Sequence, residues 1–196
     1  MIRVVLGGLL GGVVMFIWGA VSHMLLPTGH MGLKPLPNED ALMDSLKTSI
    51  REPGLYMFPG MDMTKTPSDA EQKAWEAKHA LGPTGLVLYD PKGGEAMSPR
   101  QLCTEFISNF VAAMFGALVL SKISGYGGRV IAATFIGVIA WMSISVSHWN
   151  WYGFPSEFIT TEAIDQVGGW LLTGLAIAGF VKPTIPFEYA ERTVSA

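Results

Sequence analysis

Four ionisable side chains stand inside otherwise apolar stretches: His23, Glu105, His148 and Asp165. Two imidazoles and two carboxylates can do three kinds of chemistry if they converge. They can respond to protons, because a histidine between carboxylates titrates near neutral pH. They can hold a small polar ligand. They can also ligate zinc, iron or manganese, which accept mixed nitrogen and oxygen donors. No H-x-x-E-H or E-x-x-H pattern falls within one helix, so convergence depends on how the helices pack. The plainer reading is preferred to all three: each residue is an interfacial cap or a member of a structural hydrogen-bond network.

The elements that must position these groups follow from hydropathy. The chain has 196 residues, 49% hydrophobic and 15% charged, where roughly 25% charged is usual for a soluble domain. With 23 Gly and 6 Trp, this composition suits a polytopic membrane protein. A net charge of -3 with no basic block excludes nucleic acid as a partner class. A single cysteine, Cys103, excludes an intrachain disulfide and a cysteine metal cluster.

The expected fold class is an all-α membrane protein with four transmembrane helices and a small α/β extramembrane insertion between helices 1 and 2. Residues 1–26 form the first span: Val4 to Leu26 is apolar except for Ser22 and His23, and is longer than a signal-peptide core. Residues 27–98 form the outer, periplasmic module, which holds most of the charge of the chain. Asn38 reads as the cap of its first helix, and Leu55 to Phe58 as a strand. Thr66 or Ser68 caps a second helix, with Ser68 and Glu71 at capping-box spacing; it is anchored by Trp75 and runs to about Ala80, and Gly85 to Tyr89 reads as a partner strand. Residues 99–182 hold spans 2 to 4: Leu102 to Leu120 after the Ser98-Pro99 start, Val130 to Val146, and Ile164 to Val181 capped by Thr160 or Thr161 and stopped by Lys182-Pro183. Residues 183–196 form a cytoplasmic tail.

Orientation follows from charge. Lys122 and Arg129 flank the short turn between spans 2 and 3, and Arg3 and Lys182 share its side, whereas the loop from His148 to Thr161 has no Lys or Arg. The positive-inside rule puts both termini in the cytoplasm of a multi-pass bacterial inner-membrane protein. Trp149, Trp151 and Tyr152 then suit an aromatic belt at the outer interface.

Small or polar stripes mark the inward faces of the spans. They are Gly8, Gly12, Gly19 and His23; Glu105, Asn109, Ala112 and Gly116; Thr134, Gly137, Trp141, Ser145 and His148; and Asp165, Gly169, Ala176 and Gly179. Each carries an ionisable residue near the outer end of its helix, at similar expected depth. An ionisable group inside a span is costly and is a functional candidate by default. Gly7, Gly8, Gly11 and Gly12 also form overlapping G-x-x-x-G patterns suited to close helix approach.

Other candidates are weaker. Gly19 and His23 would suit a flat macrocycle with an axial imidazole, but helix packing explains them more simply. Glu162 reads as serving the dipole of its own helix. His30 and His79 read as solvated, Met57, Met61 and Met63 as packing rather than copper ligands, and Cys103 as a small apolar residue. There is no phosphate loop, no G-x-S-x-G and no supported Ser/His/Asp arrangement.

Three strings carry a resemblance: Gly54-Leu-Tyr-Met-Phe-Pro-Gly-Met-Asp62, Gly82-Pro-Thr-Gly-Leu-Val-Leu-Tyr-Asp-Pro91 and Ser145-Val-Ser-His-Trp-Asn-Trp-Tyr-Gly-Phe-Pro155. Through them nearly the whole chain resembles a bacterial four-helix inner-membrane family classed as a domain of unknown function. The resemblance implies an inner-membrane location and brings no activity, cofactor or site residue.

The sequence thus leads to a non-catalytic accessory subunit, embedded in lipid and packing against a partner membrane protein or a second copy. The rival expectation is a protein binding a metal, cofactor or small ligand among His23, Glu105, His148 and Asp165, with the cofactor itself unspecified.

Overall fold

A computed structural model describes residues 2–62 and 64–181 of the chain. Met63 of the methionine run, the expected stop at Lys182-Pro183 and the tail from 183 to 196 lie outside the described residues. The chain is mostly helical, with one two-stranded sheet. It divides into a helical unit (residues 2–33, 97–150 and 154–181 of those described) and a second unit, Lys34–Ala96 together with Trp151–Gly153.

The helical unit is built on α1 (Ile2–Met24), α4 (Pro99–Leu120), α5 (Tyr126–Ala140), α6 (Val146–Tyr152) and α7 (Ser156–Ile177). The glycine patterns of α1 are used within the unit. A Cβ at Gly8 would lie 3.0 Å from Met114 Cα and one at Gly12 would lie 2.7 Å from Phe110 Cα, so the backbones of α1 and α4 touch where side chains are absent. Gly7 and Gly11 make room for side chains instead, a Cβ at Gly7 lying 2.9 Å from Val181 Cγ2 and one at Gly11 lying 2.9 Å from Ala113 Cβ and 3.0 Å from Thr173 Cγ2. The core around them is Ala117, Leu120, Ala133, Trp170, Ile177 and Val181. Large apolar residues point the other way. Val5, Leu9, Val13 and Ile17 on α1, Ile107, Val111, Phe115 and Leu118 on α4, and Ile131, Phe135 and Ile139 on α5 are all exposed.

Three stretches, Ile2–Met24, Pro99–Leu120 and Tyr126–Tyr152, are long and apolar enough to cross a membrane by length and composition. The first half of α7 is more polar, with Glu157, Glu162 and Asp165. This helix also starts earlier than the hydropathy suggests. Pro155 precedes its first residue, and Thr160 and Thr161 sit inside it, their hydroxyls donating back to Ser156 O and Glu157 O. Pro155 marks this start, because a proline's missing N–H costs nothing where a helix begins.

The third apolar helix also differs from expectation. It continues past Val146 to Tyr152 and contains a π turn, Trp141–Ser145, in which the Val146 amide donates to Trp141 O. The π turn inserts an extra residue and shifts the register of everything after it. Gly153, at φ 70°, then reverses the chain into α7.

At the end of the unit where α4 turns into α5, Arg129 is buried. Its Nε donates to Ile123 O at 2.9 Å and its Nη1 to Ala178 O at 2.7 Å. A cation is favoured beside carbonyls left open at helix C-termini. Arg129 therefore serves the packing as well as adding positive charge to a turn.

The second unit contains α2 (Glu39–Ser49), β1 (Gly54–Phe58), α3 (Asp69–Leu81) and β2 (Gly85–Tyr89). The strands pair antiparallel, with Leu55 opposite Leu88 and Met57 opposite Leu86. Ser68 and Glu71 form the expected capping box on α3, and Trp75 donates to Pro59 O at 2.9 Å. Asn38 adopts a left-handed conformation and its side chain makes no cap hydrogen bond, so α2 starts without the cap expected there.

Candidate functional site

A cleft of about 450 Å³ opens in the helical unit among α1, α4 and α7. Its position follows from chain direction: the C-terminal end of α1 meets the N-terminal ends of α4 and α7. Such a junction favours a cation on α1 and carboxylates on the other two helices. His23 in the last turn of α1 fits this, whereas Glu105, Glu162 and Asp165 stand beyond the first turns of α4 and α7, where the dipole has fallen away, and are placed by the helix faces that line the cleft.

Asp165 is the centre of the polar network. Oδ2 lies 3.1 Å from His23 Nε2, the distance of an ion pair, although the imidazole is not aligned for a hydrogen bond and this buried oxygen accepts none. Oδ1 accepts from the hydroxyl of the fully buried Ser22. The Asp165 carbonyl accepts from Trp18 Nε1 at 3.3 Å. Two helices are thus joined by a partly buried carboxylate, a buried serine and an indole, with a half-exposed histidine at the rim.

The other walls combine carboxylates with apolar surface. Glu105 opens onto the cleft and accepts from Asn109 Nδ2 at 3.0 Å on its own helix. Glu162 also lines the cleft, accepts from the buried Ser145, and lies within electrostatic range of Asp165, His23 and His148. Met15, Phe16, Trp18, Leu102 and Trp170 supply apolar wall. Gly19 faces the same space, and a Cβ added there would meet nothing within 4 Å.

Three of the four residues singled out in the sequence therefore share one cleft, and His148 does not line it. Its ring stacks on Phe154 at 5.2 Å. The uninterrupted helical stripe from Trp141 to His148 assumed regular spacing, and the π turn between them breaks that spacing. Among the described residues no three His, Cys, Asp or Glu side chains stand at metal-binding spacing. His23 with Asp165 is a pair, and Glu105 belongs to a different wall, so the metal set of His23, Glu105, His148 and Asp165 is not formed.

Glu162 is the functional residue that sequence reasoning undervalued. It precedes Asp165 by three residues, a spacing that puts both on one helix face, and this signal was available. Ser145 already stood on the inward stripe of its helix and Ser22 beside His23, but a serine in an apolar run resembles any small residue and does not name its partner. Comparison with known proteins finds no matching family model, no matching curated protein and no matching solved structure.

Proposed function

We propose that the chain is a four-span membrane protein, of the inner-membrane kind its strings resemble, and that the cleft at one end of the bundle binds a small ligand. The observation that carries this reading is the cleft itself, walled by three helices and set with three carboxylates and an imidazole. Pockets of this size, mostly apolar with a few convergent polar groups, are the usual form of small-molecule sites. The membrane setting is supported by the outward rows of Val, Leu, Ile and Phe, which a soluble monomer rarely exposes. Leu171 and Leu175 are likewise exposed, so the second half of α7 suits lipid although its first half carries the polar wall.

The ligand reading is preferred to the accessory-subunit reading for a packing reason. The glycines of α1 that invited a partner helix are occupied by α4 and α7 of the same chain. A thermal-shift screen of the protein in mild detergent, run beside Gly19→Leu, tests the proposal. A small molecule that raises the wild-type Tm saturably and leaves Gly19→Leu unmoved is the expected outcome. A screen in which every hit shifts both proteins equally, or none shifts either, contradicts it.

A further inference from the structure

We infer that the ligand class of this cleft is a protonated organic amine with an apolar or aromatic body. This rests on the cleft's being a ligand site and adds the chemistry that selects among ligands. Three carboxylates, Glu105, Glu162 and Asp165, line it against one histidine, so the cleft is net acidic whether His23 is charged or neutral. A cleft of one charge sign with low-dielectric walls concentrates ligands of the opposite sign.

The distribution of the carboxylates narrows the choice. Asp165 has two side-chain neighbours, His23 and Ser22, whereas Glu105 on α4 and Glu162 on α7 each accept from one, Asn109 and Ser145, and so each keeps an oxygen to receive a cation. Among the described residues the acids do not gather at metal-binding spacing, which favours a larger cation over a bare metal ion. An ammonium group can donate to carboxylates on separate walls through its several N–H bonds.

The remaining wall suits the rest of such a molecule. Trp18, Phe16 and Trp170 offer aromatic surface, and aromatic faces attract cations and bury apolar bodies alike. Gly19 leaves open the space that a side chain would otherwise fill. Filling it with Leu closes the cleft without displacing a neighbour at Cβ, and it replaces a weak helix former with a strong one.

The test uses the full chain in detergent and three probes of similar shape: phenethylammonium, neutral 2-phenylethanol and anionic 3-phenylpropanoate. Binding is read by intrinsic tryptophan fluorescence and confirmed by calorimetry. The expected result is saturable binding of phenethylammonium, at least about tenfold tighter than the alcohol, with the anion weakest. Glu105→Gln weakens the amine about tenfold and leaves the alcohol unchanged, and Gly19→Leu abolishes both. Equal binding of amine and alcohol, or preference for the anion, overturns the amine class while leaving the cleft a ligand site. Amine binding unchanged in both variants overturns it too, because the probe then sits elsewhere. No saturable binding of any probe overturns both readings.

Discussion

The helical unit and the Lys34–Ala96 unit solve stability in opposite ways. In the helical unit, glycine and alanine at the helix contacts let backbones approach closely around a small core of Leu120, Trp170, Ile177 and Val181, while many large apolar residues face outward. In the second unit, neither α2 nor α3 has a buried residue, and Leu55, Met57, Leu81 and Leu88 are exposed. Local devices hold it instead: a capping box, a tryptophan on a backbone carbonyl, and a five-residue strand pair. A unit of this size gains little from burial alone. Close backbone approach is thus the resource of the helical unit, and caps, a single indole hydrogen bond and one strand pair are those of the second.

The largest expected effect breaks the first half of this comparison. Gly12→Leu places atoms against the Phe110 backbone, which has nowhere to move, and should destabilise the helical unit by at least about 3 kcal/mol. Thermal unfolding in detergent measures it. Gly19→Leu, on the same helix, should change stability by no more than about 1 kcal/mol. Similar losses at both positions would contradict the packing described for α1.

Trp75→Ala probes the second unit. It removes the bond to Pro59 O and the contact with the His79 ring. The side chain is only partly buried, so the expected cost is on the order of 2 kcal/mol, below that of a core tryptophan. Hydrogen exchange should rise across Asp69–Leu81 while α1 and α4 keep their protection. Equal loss in the helices would show that the two units unfold together.

The smallest effect concerns pH. Ser68 donates to Glu71 from its amide and its hydroxyl, and Lys65 adds a 3.0 Å contact, which together hold the Glu71 carboxyl below its usual value of 4.5. A lowered folded pKa contributes stability that is complete above the unfolded value and is lost as pH falls through the folded one. The first turn of α3 should therefore fray below about pH 4.5, and Glu71→Gln should remove that pH dependence. Exchange rates of the Asp69–Leu81 amides against pH check this, and an unchanged profile in the variant would sink the assignment.

How much of this was legible in the sequence varies with the kind of signal. Capping at Ser68 was readable because Glu71 lies three residues on, and capping at Ser98 because Pro99 follows it at the first helical position. The strand pair was readable from its bounding Pro and Gly residues. The start of α7 was misplaced because Thr160 and Thr161 have the chemistry of caps but sit within a helix begun after Pro155. Asn38 has the right residue type for a cap and the wrong backbone conformation. At the site, inward stripes located His23, Glu105 and Asp165, because helix periodicity is regular there. His148 stands beyond the π turn of Trp141–Ser145, which no residue type there announces, and within that turn Trp141 Nε1 donates to Ile159 O at 3.0 Å.

The proposed function stands on a cleft of about 450 Å³ among α1, α4 and α7 that admits water and has Gly19 on its wall. Thiol labelling of the protein in native membranes tests it most directly. In a Cys103→Ser background, which removes the exposed native thiol, Gly19→Cys and Val13→Cys are treated with a small charged methanethiosulfonate reagent. Position 19 lines the cleft and position 13 belongs to the outward row. The account predicts rapid labelling at 19 and none at 13. An inert position 19, or equal labelling at both, would contradict it.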